Sequence, residues 1–291
     1  MLSCQLHTHI PSPRVASAVA LLALAAAAAP ASAIIVEGMV SMPRPANAAI
    51  GSWAGSSGVP ISPHWFITAK HTGGGVNGGF WCEGTWHTAV EVRMHPTMDL
   101  QMIRVAEAFT TWHRIATGVV AGDPCVMGGW GVTAGSPLPN NAGYDWAGAH
   151  AQTWGANVIQ NASAVVSVRF DAPGTGNAVP FESSYAVNDS GGGLFTWGAD
   201  GNLELAAIAV SVSGYGSAAY GQSGYAIRLE PVMTWIMEVA DPAMPISSSI
   251  VAPRAGFDPS SSTPSTWVGF VGAAMLLTGL YGFPRRRALA A

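Results

Sequence analysis

An antiparallel all-β domain closed by one helix is the fold that the sequence predicts, and three observations carry it. Short runs rich in aromatic and β-branched residues recur between turns built from Gly, Pro, Asn and Ser. No long stretch repeats its apolar residues every 3.6 positions except Pro231 to Ala240. Hydrophobic residues make up 49% of the chain and 35 residues are glycine, so a substantial core and many tight turns are both affordable. Only 10% of residues are charged, the formal net charge is −4, and no basic stripe occurs, which argues against nucleic acid as a partner.

The elements follow in chain order. Arg14 precedes an Ala- and Leu-rich run, Val15 to Ala29, and Ala31-Ser32-Ala33 fits a small-residue cleavage site; residues 1–33 are expected to be a secretory signal peptide. Cleavage after Ala33 would start the mature chain at Ile34-Ile35-Val36-Glu37-Gly38, and the folded domain is expected over 34–240. Residues 241–266, with prolines 242, 245, 253, 259 and 264, read as a flexible linker. Residues 267–283 are uncharged and mostly apolar, and as a helix would span about 25 Å against a hydrocarbon core of about 30 Å. The tail, 284–291, carries Arg285, Arg286 and Arg287, which would hold it on the cytoplasmic side and put the β domain across the membrane. The protein is therefore expected to be exported and tethered at the surface, or released after C-terminal processing.

Within the domain, Asn188-Asp189-Ser190-Gly191-Gly192-Gly193-Leu194 sets a serine beside a carboxylate and three glycines. Such a loop brings backbone N–H groups close to a ligand. A serine there could attack a carbonyl while the N–H groups of Asn188 and Ser190 hold the developing oxyanion. A hydroxyl needs a base, and the chain has eight histidines. His71 closes the run Trp65-Phe66-Ile67-Thr68-Ala69-Lys70-His71, which reads as a buried strand stopped by Thr72 and glycines 73 to 75. An imidazole in turn needs a carboxylate to fix its tautomer. Asp99 stands just before the mostly apolar strand Leu100 to Val105, whereas Asp123, Asp145 and Asp171 sit in turn-like sequence.

Together these segments resemble the trypsin/chymotrypsin-like serine proteases. Ile61 to His71 is similar to the family's stretch ending in the catalytic histidine, Met98 to Val105 to its aspartate-led strand, and Asn188 to Leu194 to its Gly-Asp-Ser-Gly-Gly-Pro-Leu loop. Cys125 to Gly131, Ala207 to Gly216, Gly224 to Leu229 and Val232 to Met237 resemble later segments in the same order. The resemblance covers roughly residues 34 to 240 and implies two six-stranded antiparallel Greek-key barrels with a C-terminal helix. It implies His71 as general base, Asp99 as its orienter and Ser190 as nucleophile, with Asn188 and Ser190 forming the oxyanion hole. It also implies that the Ile34 amine, once freed, pairs with Asp189, so that signal cleavage doubles as activation; the alternative is that Ile34 merely opens a frayed or edge strand. No cofactor and no metal is expected.

The chain departs from the family in three places. Asn188 replaces a glycine, and its β-carbon could tilt the peptide that donates to the oxyanion. Thr72 stands where a cysteine would follow the histidine, and none follows Ser190, so Cys125 lacks its customary partner. With Cys4 in the leader, Cys82 and Cys125 either form one disulfide or remain two buried thiols. At the C-terminus, Thr263-Pro264-Ser265-Thr266-Trp267, the apolar run and the arginines resemble a PEP-CTERM sorting signal without its glutamate. That layout implies an exosortase-type processing enzyme as a partner, with a plain membrane anchor as the alternative.

By the same resemblance Ser184 lies at the base of the primary pocket, Ser211, Val212 and Ser213 form the wall that pairs with substrate backbone, and Gly224 faces them. Without a fixed negative charge at 184, the expectation is weak preference for basic side chains and some preference for apolar or aromatic ones. Glu182 could alter this if a loop shift brought it in. The leading expectation is a serine endopeptidase acting on protein or peptide through an acyl-enzyme. An inactive surface binding protein of protease ancestry and an esterase on the same triad stand beside it.

Overall fold

Strands 56–60, 65–68, 124–129 and 193–197 bury nearly every side chain, because each is curled into a closed sheet rather than laid on one. The computed structural model describes residues 33–240; the leader before Ala33, the linker, the apolar run and the basic tail lie outside the described residues. In chain order the strands are β1 (Ile35–Val36), β2 (Gly51–Trp53), β3 (Ser56–Pro60), β4 (Trp65–Thr68), β5 (Gly79–Cys82), β6 (Thr85–Met94), β7 (Gln101–Val105) and β8 (Pro124–Gly129). They continue with β9 (Gly143–Asp145), β10 (Thr153–Ala162), β11 (Val165–Arg169), β12 (Ser183–Ser184), β13 (Gly193–Trp197), β14 (Leu203–Val212), β15 (Ser217–Ala219) and β16 (Ser223–Arg228). One helix, α1 (Met233–Val239), ends the domain.

Two closed antiparallel barrels result, each of six strands. The first runs β2-β3-β4-β7-β6-β5 and the second β10-β11-β16-β14-β13-β8. Two small ribbons, β1–β12 and β9–β15, are attached to them. Closure removes the exposed sheet edges that would otherwise invite aggregation. Aromatic rings fill the first barrel. Phe66 and Phe80 stack with centroids 4.0 Å apart, and Trp53 meets Phe66 edge-on at 5.2 Å. The second barrel is packed mainly with Ala, Val, Leu and Ile, and Tyr185 is the sole aromatic among the buried members of that cluster. A third cluster joins the barrels, with Ile67, Leu100 and Met102 from the first meeting Val126, Phe195 and Ile208 from the second.

Local details differ from the sequence expectation. The strand expected to reach His71 stops at Thr68, and residues 70–72 form a 3-10 turn instead. Hydrogen bonds from Thr72 N–H to Ala69 O and from Gly73 N–H to Lys70 O wind the backbone there, with Gly73 at φ 70°. The terminal helix starts at Met233 rather than Pro231, which lies in a 3-10 turn over Glu230–Val232. Proline suits that first turn because its missing N–H has no helical acceptor to lose. No bridge joins Cys82 to Cys125. Both are free and buried, one on β5 in the first barrel and one on β8 in the second. Burial pushes the Cys82 thiol up to about 12 and raises Cys125 further. Among the described residues no helix is long and apolar enough to cross a membrane, and the proposed span at 267–283 lies outside them.

Candidate active site

Pairing of β4 with β7 brings His71, the candidate base, and the Asp99 carboxylate together. Thr68 stands opposite Gln101, and the pairing continues past the strand ends as Lys70 N–H donates to Asp99 O at 3.2 Å. One residue on, His71 N–H donates to Asp99 Oδ1 at 2.8 Å, and His71 Nδ1 lies 2.5 Å from Asp99 Oδ2. Both carboxylate oxygens are thus used, which fixes the ring's rotation and leaves Nδ1 carrying the proton. The turn itself is braced at Gly73 O, which accepts from Gln101 Nε2 at 2.7 Å and Trp53 Nε1 at 2.9 Å.

The far ring nitrogen, His71 Nε2, lies 2.7 Å from Ser190 Oγ. Ser190 sits between Asp189 and the start of β13, and its backbone is fastened to the first barrel. Ser57 N–H donates to Ser190 O at 2.9 Å, Thr68 Oγ1 donates to Ser57 O at 2.6 Å, and Trp130 N–H donates to Ser57 Oγ at 2.7 Å. Gly191, at φ 85°, follows directly. A β-carbon there would run into Ser57 O and Thr68 Oγ1. Only glycine lets the serine loop approach the first barrel this closely.

Asn188 adopts φ 68°, the left-handed region in which Asn is tolerated better than other residues with a β-carbon. Its side-chain Nδ2 lies 3.2 Å from His150 Nε2. Among the described residues neither Asn188 N–H nor Ser190 N–H donates to a backbone carbonyl.

Beneath the serine, Asp189 is fully buried and accepts from Ala186 N–H at 2.7 Å. The Gly131 and Ile34 amides also face its carboxylate and pull its pKa down, but too loosely to give Oδ1 a well-formed hydrogen bond. Burial dominates and pushes the acid up to about 8. Ile34 is itself buried and sits at φ 59°, a strained conformation for a β-branched residue.

The expected pocket residues are less uniform. Ser184 is buried on β12, opposite Ile35, and its Oγ donates to Tyr185 O at 3.2 Å. Glu182 turns away into a buried network, accepting from Asn157 Nδ2, Asp171 N–H and Val179 N–H at 3.0 Å each. Burial pushes Glu182 up to about 7. Val212 pairs with Gly224, and Ser211 and Ser213 are exposed at the end of β14. Pairing of β13 with β14 ends at Ile208, so residues 211–213 have a strand partner on one side only. Gly224 lies against the ring of Tyr185, which no local motif marks although it adjoins Ser184. Nor does any motif mark Ser57, Thr68, Gln101 or His150. Their hydroxyl, amide and imidazole groups carry no local signature, and only the folded register brings them to the site.

No protein-family model and no curated protein sequence matches this chain. Among the described residues no cluster of His, Cys, Asp and Glu gathers as a metal site.

Proposed function

We propose that the chain is an exported serine hydrolase, and specifically an endopeptidase working through an acyl-enzyme. One observation carries the reading: a single imidazole lies 2.5 Å from Asp99 Oδ2 and 2.7 Å from Ser190 Oγ. That is the geometry in which a hydroxyl proton can move to Nε2 as the oxygen attacks a carbonyl carbon. Asp99 holds the tautomer and stabilises the imidazolium. The N–H groups of Asn188 and Ser190 stabilise the tetrahedral oxyanion, and His71 returns the proton to the leaving amine. Water, activated by the same imidazole, then releases the acyl group from Ser190.

A peptide is favoured over a simple ester by the single-sided pairing of residues 211–213, beside which an extended chain can add as a further strand. Activation by signal cleavage fits the buried Asp189, whose carboxyl lacks a counter-charge that a free Ile34 ammonium would supply. The strained φ of Ile34 also vanishes as a constraint once no carbonyl precedes it. The export leader, the membrane-spanning or PEP-CTERM-like segment and its exosortase-type partner belong to the same reading and rest on sequence alone. Covalent labelling of the mature protein by a fluorophosphonate, abolished in Ser190→Ala, tests the hydrolase assignment; an unlabelled, folded protein would point to the binding-protein alternative.

A further inference from the structure

We propose that Tyr185 sets the acyl-side specificity of the Ser190 site, closing it to aromatic side chains and selecting substrates with a small one, such as Gly, Ala or Ser. The proposal rests on the hydrolase reading above and narrows its substrate class.

A substrate chain laid along residues 211–213 and bonded to Ser190 must direct its side chain between that strand and the segment 184–190. Gly191 N–H donates to Ala209 O at 2.8 Å, so these two segments converge immediately beside the serine. Gly224 backs the strand through its pairing with Val212. Against Gly224 packs Tyr185, only 1% exposed. A β-carbon built on Gly224 would lie 2.7 Å from Tyr185 Cδ2 and 3.4 Å from both Tyr185 Cε2 and Val168 Cγ2. The phenol ring therefore already rests on the bare glycine backbone and takes up the room that a side chain entering from this side would need.

The ring is not free to swing aside. Ser184, just before it, is paired with Ile35, and Ala186, just after it, donates to Asp189 Oδ2 at 2.7 Å. The exclusion is the work of the ring, not of its hydroxyl, which is buried without a hydrogen-bond partner among the described residues. A purely structural Tyr185 would affect stability when replaced and leave the ratio between substrates unchanged.

The test compares N-acetyl-alanine and N-acetyl-phenylalanine p-nitrophenyl esters with the mature protein. The expected kcat/KM ratio is about 10²-fold in favour of alanine, the scale on which a filled pocket rejects an oversized group. Tyr185→Ala is expected to shift that ratio at least about tenfold toward phenylalanine and to raise phenylalanine turnover outright, while Tyr185→Phe keeps the original ratio. Equal turnover of the two esters by the unaltered protein overturns the proposal, and so does an unmoved ratio in folded Tyr185→Ala. If Tyr185→Ala does not fold, the unaltered ratio decides alone. Fluorophosphonate labelling of Ser190 separates the two levels: a labelled enzyme without size preference sinks only this inference, and an unlabelled one sinks the hydrolase reading beneath it.

Discussion

Ser57 N–H donates to the carbonyl oxygen of Ser190 at 2.9 Å, so the backbone of the proposed nucleophile is held by the opposite barrel. The histidine and aspartate belong to that same barrel, on β4, β7 and the turns beside them. The proposed triad is therefore assembled by the contact between barrels, and on that proposal weakening the contact should cost activity as well as stability.

Gly191→Ala tests this directly. The substitution sets a β-carbon against Ser57 O and Thr68 Oγ1 at a backbone φ of 85°. Strain and overpacking together should destabilise the fold by about 2–5 kcal/mol. Urea unfolding gives the stability loss, and ester hydrolysis by the remaining folded protein should fall further than stability predicts, because Ser190 is pushed off its line to His71.

Asp99→Asn should leave the fold intact and lower turnover by about 10⁴-fold near neutral pH. Two donors, His71 N–H and His71 Nδ1–H, use the two carboxylate oxygens. An amide offers one acceptor, so the ring is driven to the wrong tautomer. Steady-state kinetics check the loss; a mutant within tenfold of the parent would remove Asp99 from the mechanism.

At position 188 the backbone conformation, not the side chain, should matter. Asn188→Gly keeps the N–H at φ 68° and is expected to stay within a few-fold of the parent kcat. Asn188→Val, β-branched in the left-handed region, should lose about 10²–10³-fold, the value of one oxyanion donor. Similar rates for both variants would show that this N–H does not face the reacting oxygen.

Processing at Ala33 should change how stability depends on pH. In the extended chain Asp189 is raised to about 8, well above its unfolded value of about 3.9. A raised folded pKa favours the fold fully below the unfolded value, and that contribution is lost as pH climbs through about 8. A free Ile34 ammonium would pair with the carboxylate and remove the loss. Glu182, also raised, is common to both forms and cancels in the comparison. The Tm advantage of the chain beginning at Ile34 over one beginning at Ala33 should therefore widen from pH 5 to pH 8. A constant difference would refute the pairing.

Thiol titration distinguishes the two barrels' cysteines from a bridge. Denatured, unreduced mature protein should show two reactive thiols, and the native protein neither on the same timescale, since both are buried with raised pKa values.

What can be read from the chain alone is what is written locally. The serine loop carries its glycines in series, the strands carry their turns between them, and the aspartate and histidine stand beside recognisable apolar runs. Those signals were enough to single out His71, Asp99 and Ser190 as candidates. They also named the β class and the single helix. The sequence could not show that the strand before His71 ends in a 3-10 turn, because that turn depends on Gln101 and Trp53 reaching Gly73 O from elsewhere. Nor could it show that Ser57 holds the serine loop, that the two cysteines occupy different barrels, or that Tyr185 lies on Gly224. Each of these is a contact between segments far apart in the chain, set by barrel closure and register. Short-range propensity carries no record of which distant backbone will come to rest beside a residue.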